Sequence, residues 1–396
     1  MHKACFIAAK KLESDNDHYQ AAVMLSRMSF LTKSRSALML KTPPVFLPLS
    51  TPWKRHFHPF VPPLLFTGLV IALYTWKCLM LVVFQNFIIY NPFIPPDSRT
   101  VRIADFAKQC RGFEWREQHI KAIDGTQISL CTNDVETAGA ASKARVPTYV
   151  YIVYFQGNAA STPYRLPDIT SILGIVRDLG PEEADVYSTV CLSYRGYWTS
   201  HDRPSERGIN LDAMAALAYV ERTHDERKAK NPNCKSVLVL WGQSIGSGFV
   251  TNLATSHADR SEMRMDALVL ETPFTNTRDM LKALYPQRWL PYQYLWPFLR
   301  TKLDSYKNLS RIAQLPPYRR PEIHIIEASQ DELVPRDHGT ILANRSRDVG
   351  LDVEHHRVPK ALHNGVMTGN SGRHAIARAI TKAVHDAIHR QNGPDK

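Results

Sequence analysis

The sequence predicts an α/β protein: a mostly parallel central sheet with helices on both faces, preceded by a single membrane-spanning helix. Three observations predict it. From residue 115 onward, short runs rich in β-branched and aromatic residues alternate with helical stretches. A Gly-x-Ser-x-Gly pentapeptide stands where one of those runs meets a helix. A long apolar run lies upstream of them all.

The chain has 396 residues and a formal net charge of +12, unevenly placed. Residues 1–60 carry nine Lys/Arg against three acids, about half of the total surplus. This segment is polar and basic, ends in Pro43, Pro44, Pro48 and Pro52, and is expected to form a tail without stable order. Its charge reads as membrane-flanking charge. No basic stripe interleaved with aromatics occurs in the rest of the chain, so a nucleic-acid partner is not expected.

Between Asp17 and Asp97 there is no acidic residue, and within that stretch lies the run from Val61 to Phe84. As a helix it extends about 36 Å, enough to cross a hydrocarbon core of about 30 Å. Lys77 is the one charge in it. A mid-bilayer lysine costs about 2.5–3.5 kcal/mol, whereas each Leu, Ile, Phe or Val contributes about −0.3 to −0.6. Twelve such residues between Leu64 and Phe84 outweigh it, and the lysine can snorkel. The run therefore reads as a signal-anchor helix over 61–84. Lys41, Lys54 and Arg55 precede it without a nearby acid. That bias favours a cytosolic N-terminus and a catalytic domain in the endoplasmic reticulum lumen or outside. The sequons at Asn308 and Asn344 agree with that side. Asn91-Pro92-Phe93-Ile94-Pro95-Pro96 follows as a stiff neck.

The first element after the neck is a hairpin: Trp115–Ile123, an Asp124-Gly125 turn suited to type I′, and Thr126–Thr132. Strands follow over Thr148–Phe155, Val186–Tyr194, Ser236–Trp241, Ala267–Glu271, Glu322–Ala328 and Val353–Val358. Helices are read at Ile209–Thr223, Ser247–Ser256 and Arg373–Arg390. Near-continuous apolar strands alternating with helices indicate a parallel sheet buried on both faces. The six cysteines show no CxxC and no zinc spacing; free thiols are the first reading, and a disulfide among the last four stays open.

Gly242-Gln243-Ser244-Ile245-Gly246 ends one strand and opens a helix. At such a turn the serine sits on a strained backbone, and its neighbours must be small. The helix N-terminus beyond it favours a developing oxyanion. Serine needs a base, and the base needs a carboxylate to fix its tautomer. Asp331 follows the strand Glu322–Ala328, and His363 follows Val353–Val358, in loops at the strand ends. The competing groups are Glu332, Asp337, His338, His355 and His356; the last two lie inside a strand, pointing into the sheet layers. Ser244, Asp331 and His363 are thus the expected catalytic residues. The Ile245 amide and Asn158, in the small-residue loop Gln156-Gly157-Asn158-Ala159-Ala160, are the expected oxyanion donors. No metal or cofactor is expected.

These elements follow the α/β-hydrolase plan, which would occupy residues 85–396. Further motifs carry a resemblance to one family: Phe155–Ala159, Tyr194-Arg195-Gly196-Tyr197, Pro204–Gly208, Trp241–Gly248, Leu270–Asn276 and Asp331–Pro335. In this order they resemble the membrane-anchored α/β-hydrolases that include lysophosphatidylserine and monoacylglycerol lipases and the fungal bud-emergence homologues. The similarity extends over about residues 85–390, and the family's triad falls on Ser244, Asp331 and His363. The chain departs from the family at Gln156, where histidine is usual, and at Ala160 and Trp198, where glycine is usual. Gln243 stands where histidine is frequent. The segment from Tyr285 to Phe298, with Trp289, Tyr292, Tyr294 and Trp296, lies where this fold inserts a cap, here about 280–311. It reads equally as an acyl-site lining or as packing.

The resemblance implies a membrane-anchored serine hydrolase that acts on a lysophospholipid or monoacylglycerol ester, with the bilayer and its lipid esters as partners. Two alternatives are a thioesterase that removes acyl groups from proteins, which suits a cytosol-facing domain, and a membrane polarity scaffold.

Overall fold

The computed structural model describes residues 59–137, 145–257 and 261–392. All but the last two residues of the expected basic tail lie outside them. The chain divides into two units, Met1–Val61 and Pro62–Lys396. The second holds the sheet and the site.

Helix α1, Val61–Val83, buries none of its residues and is long and apolar enough to cross a membrane by length and composition. A short helix α2, Gln85–Tyr90, follows and buries Gln85 and Tyr90. Next comes one sheet of eight strands in the order β1-β2-β4-β3-β5-β6-β7-β8. The strands are β1 Arg116–Lys121, β2 Gln127–Glu136, β3 Thr148–Phe155, β4 Val186–Ser193, β5 Lys235–Gln243, β6 Ala267–Glu271, β7 Glu322–Ala328 and β8 Val353–Val358. Strands β1 and β2 run antiparallel; the others pair in parallel. This is the α/β-hydrolase arrangement, with a mostly parallel sheet covered by helices.

The β3 sequence TYVYIVYF shows why both faces are covered. Successive side chains alternate between faces, and here every one is apolar or aromatic after Thr148. Tyr151, Val153 and Phe155 enter one core cluster, with Ile209, Val220 and Phe249 from the helices α4 (Glu206–Lys230) and α5 (Ile245–His257). Val150, Ile152 and Tyr154 enter another, with Ile169 and Leu173 of α3 (Thr162–Leu179) and Ile380 and Val384 of α10 (Asn370–Asn392). The remaining helices are α6 Thr277–Leu284, α7 Ser305–Ile312, α8 His338–Asp348 and α9 Gly365–Thr368, with a 3₁₀ segment at Pro291–Phe298. The segment expected to be a cap, about 280–311, falls on most of α6, this 3₁₀ segment and α7.

Two expectations need correction, and one left open is resolved. The hairpin turn is not type I′, which requires left-handed backbone at both central residues. Only Gly125 is left-handed, at φ 82°, and its N–H donates to Ala122 O at 2.8 Å. This is a turn centred on Ile123-Asp124 that closes on a left-handed glycine. The disulfide left open among the cysteines does not form: Cys110, Cys131, Cys191 and Cys234 are free. Cys131 and Cys191 oppose each other across β2 and β4, and burial pushes both thiols well above the usual range, so they behave as core residues. Finally, the sequon Asn308 is buried. Its amide donates to Thr251 Oγ1 at 3.1 Å and to Asn252 Oδ1 at 2.7 Å, so it offers no glycan acceptor. Asn344 is exposed.

Candidate active site

Strand β5 delivers Ser244 into a left-handed conformation, φ 52°, before α5 begins at Ile245. Such a conformation costs a non-glycine residue roughly 1–3 kcal/mol and persists only when its surroundings enforce it. The enforcement is visible. The Ser244 N–H donates to Glu271 O at 2.8 Å, and Ser247 N–H returns to Ser244 O at 3.0 Å. A Cβ on Gly246 would collide with Phe155 O, and one on Gly242 would lie 2.7 Å from Gly246 O. Both glycines of the pentapeptide are therefore steric requirements of the elbow.

Asp331 and His363 come together from the loops after β7 and β8. His363 Nδ1 is 2.8 Å from Asp331 Oδ2, and both side chains are buried. The other carboxylate oxygen, Asp331 Oδ1, accepts the N–H groups of Leu333 at 2.9 Å and Val334 at 2.8 Å. Glu332, a rival acid by sequence, instead accepts the His363 backbone N–H at 2.9 Å. It holds the histidine's loop by its backbone.

The rival histidines have separate partners. His355 Nε2 lies 2.9 Å from Glu327 Oε2, and His356 Nε2 lies 3.2 Å from Glu354 Oε2. His338 is buried, and that burial lowers its pKa. His324, Glu354 and His356 also bring metal-ligand atoms within 4.8 Å of one another. His324 sits in the first half of β7, whereas Asp331 follows the far end of that strand. The Lys382 ammonium lies 2.8 Å from Glu322 and 3.4 Å from Glu354, so a lysine already answers the negative charge of this cluster.

Ser244, Ile245 and Asn158 line one cavity of about 240 Å³. Beside Asn158, the amides of Ala159 and Ala160 donate to the Tyr90 and Ile94 carbonyls. Among the described residues no backbone acceptor is seen for the Asn158 and Ile245 amides. Ala159 and Ala160 both have φ 58°, and Trp198 has φ 43°. At both positions where the family usually has glycine, Ala160 and Trp198, the backbone is thus left-handed, which explains the glycine elsewhere. Trp198 is held there by burial and by Nε1–H donation to Val101 O at 2.8 Å.

A buried polar chain supports the elbow from below the sheet end, and sequence reasoning missed it. The Trp241 Nε1–H and Gln243 Nε2–H donate to the two oxygens of Glu271 at 3.1 and 3.2 Å. Tyr154 O–H donates to Gln243 Oε1 at 3.0 Å. Burial pushes the Glu271 carboxyl up to about 7, only partly offset by the Trp241 and Gln243 hydrogen bonds. A glutamate closing an otherwise apolar strand, Ala267–Glu271, was the available signal.

The other shared motifs are structural. The Arg195 guanidinium reaches Asp212 at 2.7 Å and Asp124 at 2.8 Å, which ties the hairpin turn to α4. Ser205 caps α4 by accepting Gly208 N–H at 3.2 Å. Gly208 leaves room for Arg195, whose Cδ would collide with an added Cβ.

The remaining wall of the cavity is mostly apolar and comes largely from α6, the 3₁₀ segment, α2 and the end of α1. Leu281, Leu284, Tyr292 and Phe298 line it together with Val82 and Ile88.

Comparison with known proteins agrees with the motifs. A profile of the prolyl oligopeptidase family matches residues 229–381. Protein bem46 of Schizosaccharomyces pombe is 27% identical over 227 residues, covering 57% of this chain and 65% of that protein. The lysophosphatidylserine lipase ABHD12 of Bos taurus is 34% identical over 202 residues, covering 49% of this chain and 44% of the lipase. The mouse ABHD12 is 30% identical over 207 residues, 51% of this chain and 46% of the enzyme. The chain therefore spans about half the length of the lipases it matches. A fungal esterase from Rhizomucor miehei aligns over 75% of this chain and 92% of its own, with 16% identity and a TM-score of 0.50, a likeness of fold alone. The relatives found are those whose motifs the sequence carries.

Proposed function

We propose that this chain is a membrane-anchored serine hydrolase that cleaves carboxylic esters of single-chain lipids through an acyl-enzyme. The observation that carries this reading is Ser244 on a strained elbow, in a cavity it shares with the Asn158 and Ile245 residues of the expected oxyanion site. A buried His–Asp pair stands in the loops after β7 and β8, two and three strands along the same sheet.

The roles follow from the chemistry of each group. His363 takes the Ser244 proton as Oγ attacks the ester carbonyl carbon. Asp331, fixed by the Leu333 and Val334 amides, holds the imidazole with Nδ1 protonated and stabilises the imidazolium. The carbonyl oxygen becomes an oxyanion facing the Ile245 and Asn158 N–H groups. Collapse expels the alcohol, which takes the proton from His363. Water then attacks the acyl-enzyme by the same relay and releases the acid and Ser244.

An apolar cavity suits an acyl chain, and the relatives named as lysophosphatidylserine lipases support a lysophospholipid or monoacylglycerol as substrate. A helix with the length and composition of a span would keep the enzyme beside such substrates. The basic residues before it support a lumenal catalytic domain in the endoplasmic reticulum. The test is hydrolysis of lysophosphatidylserine and of monooleoylglycerol by full-length protein in lipid nanodiscs. Wild type should release fatty acid from at least one of them and Ser244→Ala from neither. Equal turnover by the two proteins would reject the assignment.

A further inference from the structure

The residues that wall the cavity come from two places that a soluble hydrolase would not combine: the cap and the end of the membrane-length helix. Val82 and Leu81, in the last turn of α1, line the same cavity as Ser244. The helix is fastened to the cap along its second half. The Tyr74 and Tyr292 rings stack at 6.2 Å, and the Lys77 ammonium lies 4.6 Å from the Tyr292 ring centroid. At the far end, the buried Gln85 donates to Phe298 O at 3.1 Å and accepts Arg300 N–H at 2.5 Å. From Tyr74 to Gln85 is roughly 16 Å along a helix.

That distance fixes where the cap must sit. If α1 fills a hydrocarbon core of about 30 Å, anything packed against its last 16 Å or so enters that half of the bilayer with it. The cap is built for that position. Trp289 is 74% exposed, Phe298 62% and Tyr294 57%, with Trp296 and Leu284 also exposed. Phe84, between α1 and α2, and Phe87 of α2 extend the same apolar character. Exposed arginines, Arg288 and Arg300, stand beside these aromatics in the chain. Tryptophan and tyrosine belong at the membrane–water boundary, where arginine reaches lipid phosphates. In water, an apolar surface of this kind would be a liability.

We infer that the end of α1, α2 and the cap form one lipid-facing entry, through which the acyl chain of a bilayer-resident ester passes sideways into the cavity that holds Ser244. The membrane helix is then a wall of the substrate site as well as an anchor. Lys77 is accommodated within the span by the Tyr292 ring, a cation–π contact of the kind that strengthens when water is excluded. This inference rests on the reading of Ser244 as the nucleophile of a lipid-ester hydrolase.

The experiment uses full-length protein in phosphatidylcholine nanodiscs in a Trp76→Phe background, since Trp76 of α1 would itself be quenched by lipid; this parent is compared with the same protein carrying Trp289→Gln/Trp296→Gln. Neither tryptophan lines the cavity. Two readouts are taken. Quenching of tryptophan fluorescence by brominated phosphatidylcholine reports contact with lipid. Hydrolysis of monooleoylglycerol in the bilayer is compared with hydrolysis of water-soluble p-nitrophenyl acetate. The expected result is that the double variant loses most of the lipid-dependent quenching. Its kcat/KM for the bilayer ester should fall by about tenfold or more, and that for the soluble ester should stay within about twofold. An unchanged ratio of the two activities, or lipid quenching that the double variant retains in full, overturns the inference. If wild type hydrolyses neither ester, the hydrolase reading fails instead, and the quenching still decides whether the cap meets the bilayer.

Discussion

His363 Nδ1 and Asp331 Oδ2 are 2.8 Å apart and buried together, while the neighbouring Glu332 carboxylate accepts the His363 backbone N–H. The two adjacent acids therefore act on one histidine in different ways. Asp331 orients the ring, and Glu332 orients the loop.

Asp331→Asn should abolish most activity without unfolding the protein. The Leu333 and Val334 N–H groups will claim the asparagine oxygen, leaving its NH₂ toward His363 Nδ1. That donor forces the wrong imidazole tautomer. An equivalent loss in a Ser-His-Asp triad lowers kcat by about four orders of magnitude. Glu332→Gln keeps an oxygen for the His363 N–H and should cost far less. Steady-state kinetics on a soluble ester, with circular dichroism as a folding control, separates the two; comparable losses in both variants would refute the division.

The left-handed positions predict opposite outcomes for the same change. Ala160 has φ 58° and a small side chain, so Ala160→Gly should raise stability by about 1 kcal/mol. Trp198 has φ 43°, but Trp198→Gly removes a buried indole and its hydrogen bond to Val101 O. That should cost about 3–5 kcal/mol. Denaturant midpoints decide; stabilisation at both sites would show that the indole packing contributes little.

Glu271 makes stability depend on pH with a definite sign. Its folded-state pKa, about 7, lies above the unfolded value of 4.5. The unfolded chain ionises first, so this group's contribution falls as pH rises from about 4.5 to about 7 and is constant above that. The total is on the order of 3 kcal/mol. Glu271→Gln should flatten that segment of the profile, measured as unfolding free energy at pH 5 and pH 8. Parallel profiles for the variant and wild type would mean that Glu271 is ionised in the folded protein throughout.

Asn308 is a packing residue despite its sequon. Asn308→Ala should leave electrophoretic mobility and glycosidase sensitivity unchanged in a secretory host. It should also destabilise the α7–α5 contact, because Thr251 and Asn252 lose their partner; a lost buried hydrogen bond is worth about 1–3 kcal/mol. A mobility shift on substitution would show that the site carries a glycan.

Much of the fold is legible in the sequence, because strands buried on both faces read as continuous apolar runs. Thr148–Phe155, Ala267–Glu271 and Glu322–Ala328 stand where that pattern puts them, whereas the edge strand Val353–Val358 is largely polar and half-buried and does not follow it. The helix α3 is not evident from sequence, since Pro163 and Pro167 look like breakers; Pro163 lies in the first turn, where a missing N–H is tolerated, and Pro167 lies inside the helix, where tertiary packing overrides it. The site residues are legible by order and strand position. Their supports are not. Glu271 and Gln243 are distant from the serine's chemistry in residue type, and only the register of β5 beside β6 brings Gln243 against Glu271. Burial of Asn308 and left-handedness at Trp198 depend on neighbours that no local pattern encodes.

The most direct test of the central claim is labelling of full-length, membrane-embedded protein with a fluorophosphonate probe, wild type against Ser244→Ala. An activated serine on the elbow predicts covalent labelling of wild type, mapped to Ser244, and none of the variant. Well-folded wild type that takes no label, or a variant labelled as strongly, would contradict the account.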